Sequence, residues 1–210
     1  MSPNDLSNNA HPFGFAQEME VGMGLARAHR ISYVGELGWE LHGPAEAMPD
    51  VYDALWTAGA DHGIANYGSF AMNAMRMEKM FKGAGELTNE VTLPEADVMR
   101  FVRLDKDFVG KEATARFRDE GVDRKLVTLT VDTPMDVTLD EAVLVNDAAV
   151  GYITSGGYAH HVGRSMAMAY VATEHAAAGT VVKVEIMGEM YPAEVQGAPL
   201  YDPNGGRMRS

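Results

Sequence analysis

The chain has no cysteine in 210 residues, which excludes disulfides, thiolate metal sites and cysteine nucleophiles together. Any catalysis must use other groups, and a reducing cytoplasm fits this composition. Basic residues are scarce: 17 Lys and Arg stand against 30 Asp and Glu, a formal net charge of -13. Such a surface repels a phosphate backbone and argues against nucleic acid as a partner; acidity of this kind otherwise serves solubility. Anionic ligands are repelled at long range too, so an anion site has to be a local cluster of Arg or Lys. Long apolar runs are also missing. Met166 to Ala172 falls far short of the roughly 20 residues a membrane helix needs, and Met1 to His11 carries no charged-then-apolar signal pattern. The expectation is a soluble, cytoplasmic protein without membrane partners.

With 46% hydrophobic and 22% charged residues, the chain can form one large domain or two small ones with real cores. Residues 1–14 read as a mobile or extended arm, polar and without an apolar period. Between Gly22 and Gly43, β-formers flank Gly35-Glu36-Leu37-Gly38, predicting strands over Ala28 to Tyr33 and Trp39 to His42 joined by a tight loop. Pro44 then opens an amphipathic helix carrying Met48, Val51, Tyr52, Leu55 and Trp56, ended by Gly59 and Gly63. A second helix, capped by Ser69 and stopped by Gly83, is rich in methionines that suit irregular core packing. A short charged helix runs to about Asp119, and a seam follows at Gly121-Val122-Asp123. Beyond it, Leu126 to Val131, Ala142 to Val145, Val150 to Ser155, Met166 to Val171, Val181 to Ile186 and Tyr191 to Val195 predict a small antiparallel barrel.

The most informative local string is Tyr33-Val34-Gly35-Glu36-Leu37-Gly38-Trp39-Glu40. Two glycines allow a sharp turn that presents Glu36 beside Tyr33 and Trp39, which suits a planar heterocycle with an amino-pyrimidine edge; on spacing alone that signal is weak, and an ordinary hairpin with an exposed Glu and a buried Trp is the plainer reading. Arg76 either sits on a solvated face with local ion pairs or points from an apolar helix into a cavity to hold an anionic group or ring edge. The seven histidines form no H-x-x-x-H or H-E-x-x-H, and the adjacent His160 and His161 project differently, so no metal site is expected. Neither a P-loop nor a G-x-G-x-x-G is present, Gly22-Met23-Gly24 being the nearest approach, so this chain is not expected to bind flavin or nucleotide itself.

The order of strings resembles a known family. Tyr33 to Glu40 is similar to Y-T-G-E-x-G-[FW]-E, Met75-Arg76-Met77-Glu78 to L-R-L-E, and Asp107 to Ala113 to D-F-I-G-K-E-A. Val150 to Gly157 and Met166 to Val171 resemble V-G-x-V-T-S-G-G and I-A-L-A-Y-V. These belong to the aminomethyltransferase-like folate-binding module of the glycine-cleavage T-protein and dimethylglycine/sarcosine dehydrogenase superfamily. The phrase Gly35 to His42 and the closing Leu200-Tyr201-Asp202-Pro203 lean toward the dehydrogenase branch. The resemblance implies an α+β fold, with an incomplete folate-binding T-protein-like domain over 15–121 and a small antiparallel β-barrel domain over 122–210. It implies tetrahydrofolate as cofactor, with Glu36 on the pterin's donor edge, Arg76 contacting the folate, and Tyr33 and Trp39 as wall candidates.

Family members place a further segment before the Y-x-G-E string, bearing the aspartate usually assigned to catalysis, and nothing in this sequence matches it; the catalytic residue is therefore unassigned. The expected function is a tetrahydrofolate-dependent one-carbon transfer module in demethylation of an N-methylated glycine derivative, beside an N-terminal or flavoprotein partner. The alternatives are a noncatalytic interaction or regulatory module, or one half of a split enzyme.

Overall fold

In a computed structural model, which describes residues 2–210, the first regular element is a hairpin that the apolar pattern does not announce. Strand β1 (Ala16–Val21) pairs antiparallel with β2 (Gly24–His29), and Val21 faces Gly24, so only Gly22 and Met23 form the turn. Gly22 has φ +59°, the left-handed region such two-residue turns require. Strand β3 (Glu40–His42) adds to β2. The strand expected over Ala28 to Tyr33 therefore ends at His29, and residues 30–39 form an irregular connection where a tight hairpin loop was expected.

Alternation places Met19, Val21, Ala26 and Ala28 on the buried face of this sheet, against helix α1 (Met48–Gly59) through Val51. The approach is close. A Cβ on Gly22 would come within 2.7 Å of Ala54 Cβ, and one on Gly24 within 2.7 Å of Val51 Cγ2, so Gly22-Met23-Gly24 is a packing device between hairpin and helix. The arm expected over residues 1–14 contributes to this core: Leu6 packs against it and His11 is buried. These elements form one compact unit, comprising residues up to Met72 together with Asp202–Ser210.

The second unit is Asn73–Tyr201. Its boundary falls inside helix α2 (Ser69–Glu78), of which Ser69 is the first residue. The helix stops at Glu78, ahead of Gly83, because Met80 takes the left-handed conformation at φ +56°. Met80 N–H donates to the Met77 carbonyl and Phe81 N–H to that of Arg76, the paired bonds of a Schellman cap. Met77 is fully buried, as core packing requires, whereas Phe70 and Met72 are exposed.

After α3 (Lys111–Glu120) come β4 (Arg124–Val131), β5 (Ala142–Val145), β6 (Ala148–Ala159), β7 (Arg164–Ala172), β8 (Val181–Ile186) and β9 (Glu189–Gln196). They close into an antiparallel barrel in the order β4-β7-β6-β5-β8-β9, with β9 returning to β4. All six strands coincide with the six apolar runs, and the fold is α+β. Leu129, Val143, Ile153, Ala169, Val184 and Val195 fill the barrel interior. Strand β6 carries a bulge: Ile153 pairs with Ala169 and Ser155 with Met168, leaving Thr154 as the extra residue.

The tight contact at the hairpin makes a direct prediction. Gly24→Ala is expected to cost about 1–3 kcal/mol of stability through overpacking against Val51. Gly68→Ala, where an added Cβ meets nothing within 4 Å, is expected to stay within about 0.5 kcal/mol of the parent. Urea unfolding of both variants checks the difference.

Candidate functional site

The connection between β2 and β3 is shaped by its own hydroxyls and glycines. Ser32 Oγ accepts the Gly35 N–H at 2.9 Å, and Gly35 takes φ +82°, so the chain turns back and presents Glu36. Arg207 Nε donates to both oxygens of Glu36, at 2.8 and 3.1 Å. Arg207 is itself placed by Asp202, whose carboxylate accepts the Gly206 and Arg207 backbone N–H groups. Around this pair lies an open cavity of about 510 Å³, lined by Glu36, Leu37, Asp202, Gly206, Arg207 and Ser210.

The other aromatic candidates of the loop do not line that cavity. Tyr33 is 37% exposed. Trp39 packs against the Met19/Val21/Ala28/Val51 core, with His11 edge-on at 4.5 Å and the Arg30 guanidinium over its ring at 5.1 Å. Arg30 is buried and donates to the carbonyls of His11 and Ser210. Trp39 thus holds the base of the loop.

Arg76 lies in the second unit, and its surroundings match neither the solvated face nor the cavity-lining position open from the sequence. It is 3% exposed. Nε donates to Asn73 Oδ1; Nη1 donates to the Phe81 carbonyl at 2.9 Å and Glu86 Oε2 at 2.8 Å; Nη2 donates to Asn73 Oδ1 and Ser155 Oγ. A guanidinium has five N–H donors, and these contacts engage all of them. Glu86, fully buried, also accepts from Gly83 N–H, Thr154 Oγ1 and Ser155 Oγ. Burial alone would raise its carboxyl pKa. The hydrogen bonds from Ser155, Gly83 and Thr154, with the Arg76 charge, outweigh that and hold it below the ordinary 4.5. The β6 bulge is what turns both the Thr154 and Ser155 hydroxyls onto this one carboxylate.

The model of the GCVT N-terminal domain matches residues 1–106, and that of the glycine cleavage T-protein C-terminal barrel domain matches residues 124–202. The chain belongs to the glycine cleavage T-protein family. It is 39% identical to human mitochondrial dimethylglycine dehydrogenase over 215 residues, which cover 100% of this chain and 25% of that protein. It is 37% identical to an aminomethyltransferase of Saccharopolyspora erythraea, covering 97% of this chain and 56% of the relative. The glycine cleavage system aminomethyltransferase T of Bartonella henselae has the same fold, with a TM-score of 0.84 at 24% identity, over 94% of this chain and 55% of that one. The chain therefore spans about a quarter of the dehydrogenase and about half of the aminomethyltransferases it matches.

Within this T-protein fold, most of the shared strings are structural. In Val150 to Gly157, Gly151 passes against the Tyr170 backbone, Thr154 and Ser155 hold Glu86, and Gly156 passes against Val137. In Arg76-Met77-Glu78 both charges are buried. Glu78 accepts the His161 backbone N–H at 2.7 Å and faces His161 Nδ1 at 2.9 Å, while the His161 ring stacks on Tyr201 at 4.3 Å. His161 thus has a carboxylate partner, and among the described residues no group of three or more His, Asp or Glu is arranged to hold a metal ion. No helix among them is long and apolar enough to cross a membrane. Glu86, Arg207 and the Glu78–His161 pair were not anticipated from the sequence. For Glu86 the available signal was its glycine neighbourhood, since a Cβ on Gly85 would lie 2.7 Å from the Thr154 carbonyl.

Removing one member of a buried pair leaves the other charge uncompensated. Arg76→Met and Glu86→Gln are each expected to cost about 3–5 kcal/mol, and the double variant less than the sum, which a double-mutant cycle by urea unfolding measures. Acid dependence follows from the same site. With the folded pKa below 4.5, Glu86 contributes stability above that pH and loses it as pH falls through the folded value. Glu86→Gln is expected to flatten the stability curve in that acid range.

Proposed function

We propose that this chain is a tetrahydrofolate-dependent one-carbon transfer module, acting in demethylation of an N-methylated glycine derivative such as dimethylglycine or sarcosine. The observation that carries the reading is Glu36, a carboxylate delivered by a glycine turn to the edge of a roomy cavity. Relatives named dimethylglycine dehydrogenase, sarcosine dehydrogenase and aminomethyltransferase support the chemistry. Flavin chemistry belongs, in this reading, to a flavoprotein partner or further segment, and this chain holds neither flavin nor metal. The cysteine-free composition suits a cytoplasmic setting. In sequence terms, the folate-binding part is proposed over 15–121 and the barrel over 122–210.

The donor set fits a pterin ring edge. Glu36 accepts paired N–H donors, and its exchange of partner costs little: Arg207 is 61% exposed, and an exposed ion pair contributes only about 0–1 kcal/mol. Hydrogen bonds to a charged carboxylate contribute about 1.5–3 kcal/mol each, so a ring edge can replace the guanidinium there. Arg207 holds Glu36 in position until the ring edge replaces it. Tyr33 offers an exposed aromatic face on the same loop, and Trp39 fixes the base of the loop from behind. Tetrahydrofolate supplies the nitrogen nucleophile that takes up the one-carbon unit. Glu36 acts as a binder, and the proton-accepting carboxylate is not assigned. Arg76, with its donors engaged by protein groups, anchors the second unit.

Titration calorimetry with tetrahydrofolate tests this. Wild type is expected to bind, and Glu36→Gln to weaken binding about tenfold or more without lowering the melting temperature. Arg76→Lys is expected to lower the melting temperature. The chain alone is expected to show negligible aminomethyl transfer. Unchanged affinity in Glu36→Gln would show the site misassigned; no binding by wild type would favour the noncatalytic or split-enzyme reading.

A further inference from the structure

Every residue from 60 to 72 is exposed, yet the run is rich in large apolar side chains: Ile64, Tyr67, Phe70 and Met72. Phe70 is 92% exposed and Tyr67 61%. Residues 69–72 form the first turn of α2, and at 3.6 residues per turn four consecutive exposed residues take in its whole circumference. The buried positions of the helix begin only at Ala74. Tyr52 and Trp56 of α1 add two further exposed rings, and all six residues belong to the first unit.

This apolar pad is held in shape by its own contacts. Tyr52 stacks on Trp56, with ring centroids 5.8 Å apart and planes 16° from parallel. Asn66 Nδ2 donates to the Tyr52 hydroxyl at 2.9 Å. Ile64 N–H donates to the Gly59 carbonyl, and the Ile64 side chain lies so close that a Cβ on Gly59 would stand 2.7 Å from it. The segment ahead of α2 is thereby fastened to α1 while Tyr67 and Phe70 stay in solvent. Large apolar side chains gathered on a surface in this way mark a contact with another macromolecule.

The charge decides which kind. Residues 31–75 hold none of the chain's 17 Lys and Arg, and they carry Glu36, Glu40, Glu46, Asp50, Asp53 and Asp61. Asp50 and Asp53 on α1 and Asp61 just after it are exposed, and none of the three is in an ion pair among the described residues. A second copy would bring the same carboxylates against these, and anionic lipid or nucleic acid would bring phosphates, whereas a cationic surface is attracted. We propose that the pad docks a partner polypeptide presenting apolar side chains set among Lys and Arg. The partner's apolar groups cover Phe70, Tyr67 and the Tyr52–Trp56 stack, and its cations meet Asp53 and Asp61. The proposal is independent of Glu36 and of the folate reading.

The test is an amide NMR titration of the 210-residue chain with a synthetic amphipathic helix of Leu and Lys, and separately with a Leu/Glu counterpart and with a Ser/Lys counterpart of equal charge. Saturable shifts at Tyr52, Trp56, Tyr67 and Phe70 are expected with the Leu/Lys peptide and not with the other two. Tyr67 and Phe70 are exposed, so Tyr67→Ser with Phe70→Ser should keep the wild-type melting temperature and bind about tenfold more weakly. Asp53→Asn with Asp61→Asn should lose about threefold and flatten the salt dependence. Val109→Ser, which removes a fully exposed apolar side chain from the second unit, should leave affinity unchanged. Shifts centred elsewhere or spread over the whole surface, equal binding of either counterpart peptide, or a Tyr67/Phe70 variant that binds as wild type would overturn the proposal. So would dimerisation in analytical ultracentrifugation that the same variant abolishes, which would assign the pad to a second copy.

Discussion

The second unit depends on one buried ion pair, Arg76–Glu86, and on the strand irregularity that makes its burial tolerable. Taking a guanidinium and a carboxylate out of water costs several kcal/mol each, and their attraction offsets this only if every remaining donor and lone pair is met. Here they are. Asn73, the Phe81 carbonyl and Ser155 complete Arg76, and Gly83, Thr154 and Ser155 complete Glu86. A regular β6 would send Thr154 and Ser155 to opposite faces; the bulge brings both hydroxyls to one carboxylate. The clamp thereby ties the end of α2 and the glycine-rich segment after it to the barrel wall.

This separates two kinds of charged residue within strings that look alike in sequence. Arg76 and Glu78 stand two apart in α2, yet both are buried and matched by barrel groups, Ser155 for one and His161 for the other. Glu36 is partly exposed, held by an exposed arginine, and borders open volume. A ligand can compete for the second kind at little cost and for the first only by dismantling a core network. The ligand role proposed for Glu36 and the structural anchoring of Arg76 rest on that difference.

The six barrel strands were legible because each is a short run of buried β-formers between turn residues, α1 because period and end signals agree, and α3 from its charged run ahead of Gly121. The hairpin at Gly22-Met23-Gly24 was not. Its inward residues include Gly24, Ala26 and Ala28, too small to give a strong apolar alternation, and the tightness of α1 against them has no local sign. Helical spacing shows which side of α2 is apolar but not what meets it, so the surroundings of Arg76 could not be read. The turn that presents Glu36 could be read from its glycines, whereas the pairing with Arg207, 171 residues away, could not.

Hydrogen exchange at the Gly83 amide tests the clamp most directly, because that N–H donates to the buried Glu86 carboxylate at 2.7 Å from a segment with no regular secondary structure. If the network ties this segment to the barrel, Gly83 should open only with it, with an exchange free energy matching the amides of Ala167 and Ala169 in β7. Exchange of Gly83 at the rate of an exposed loop amide, while β7 stays protected, would contradict the account.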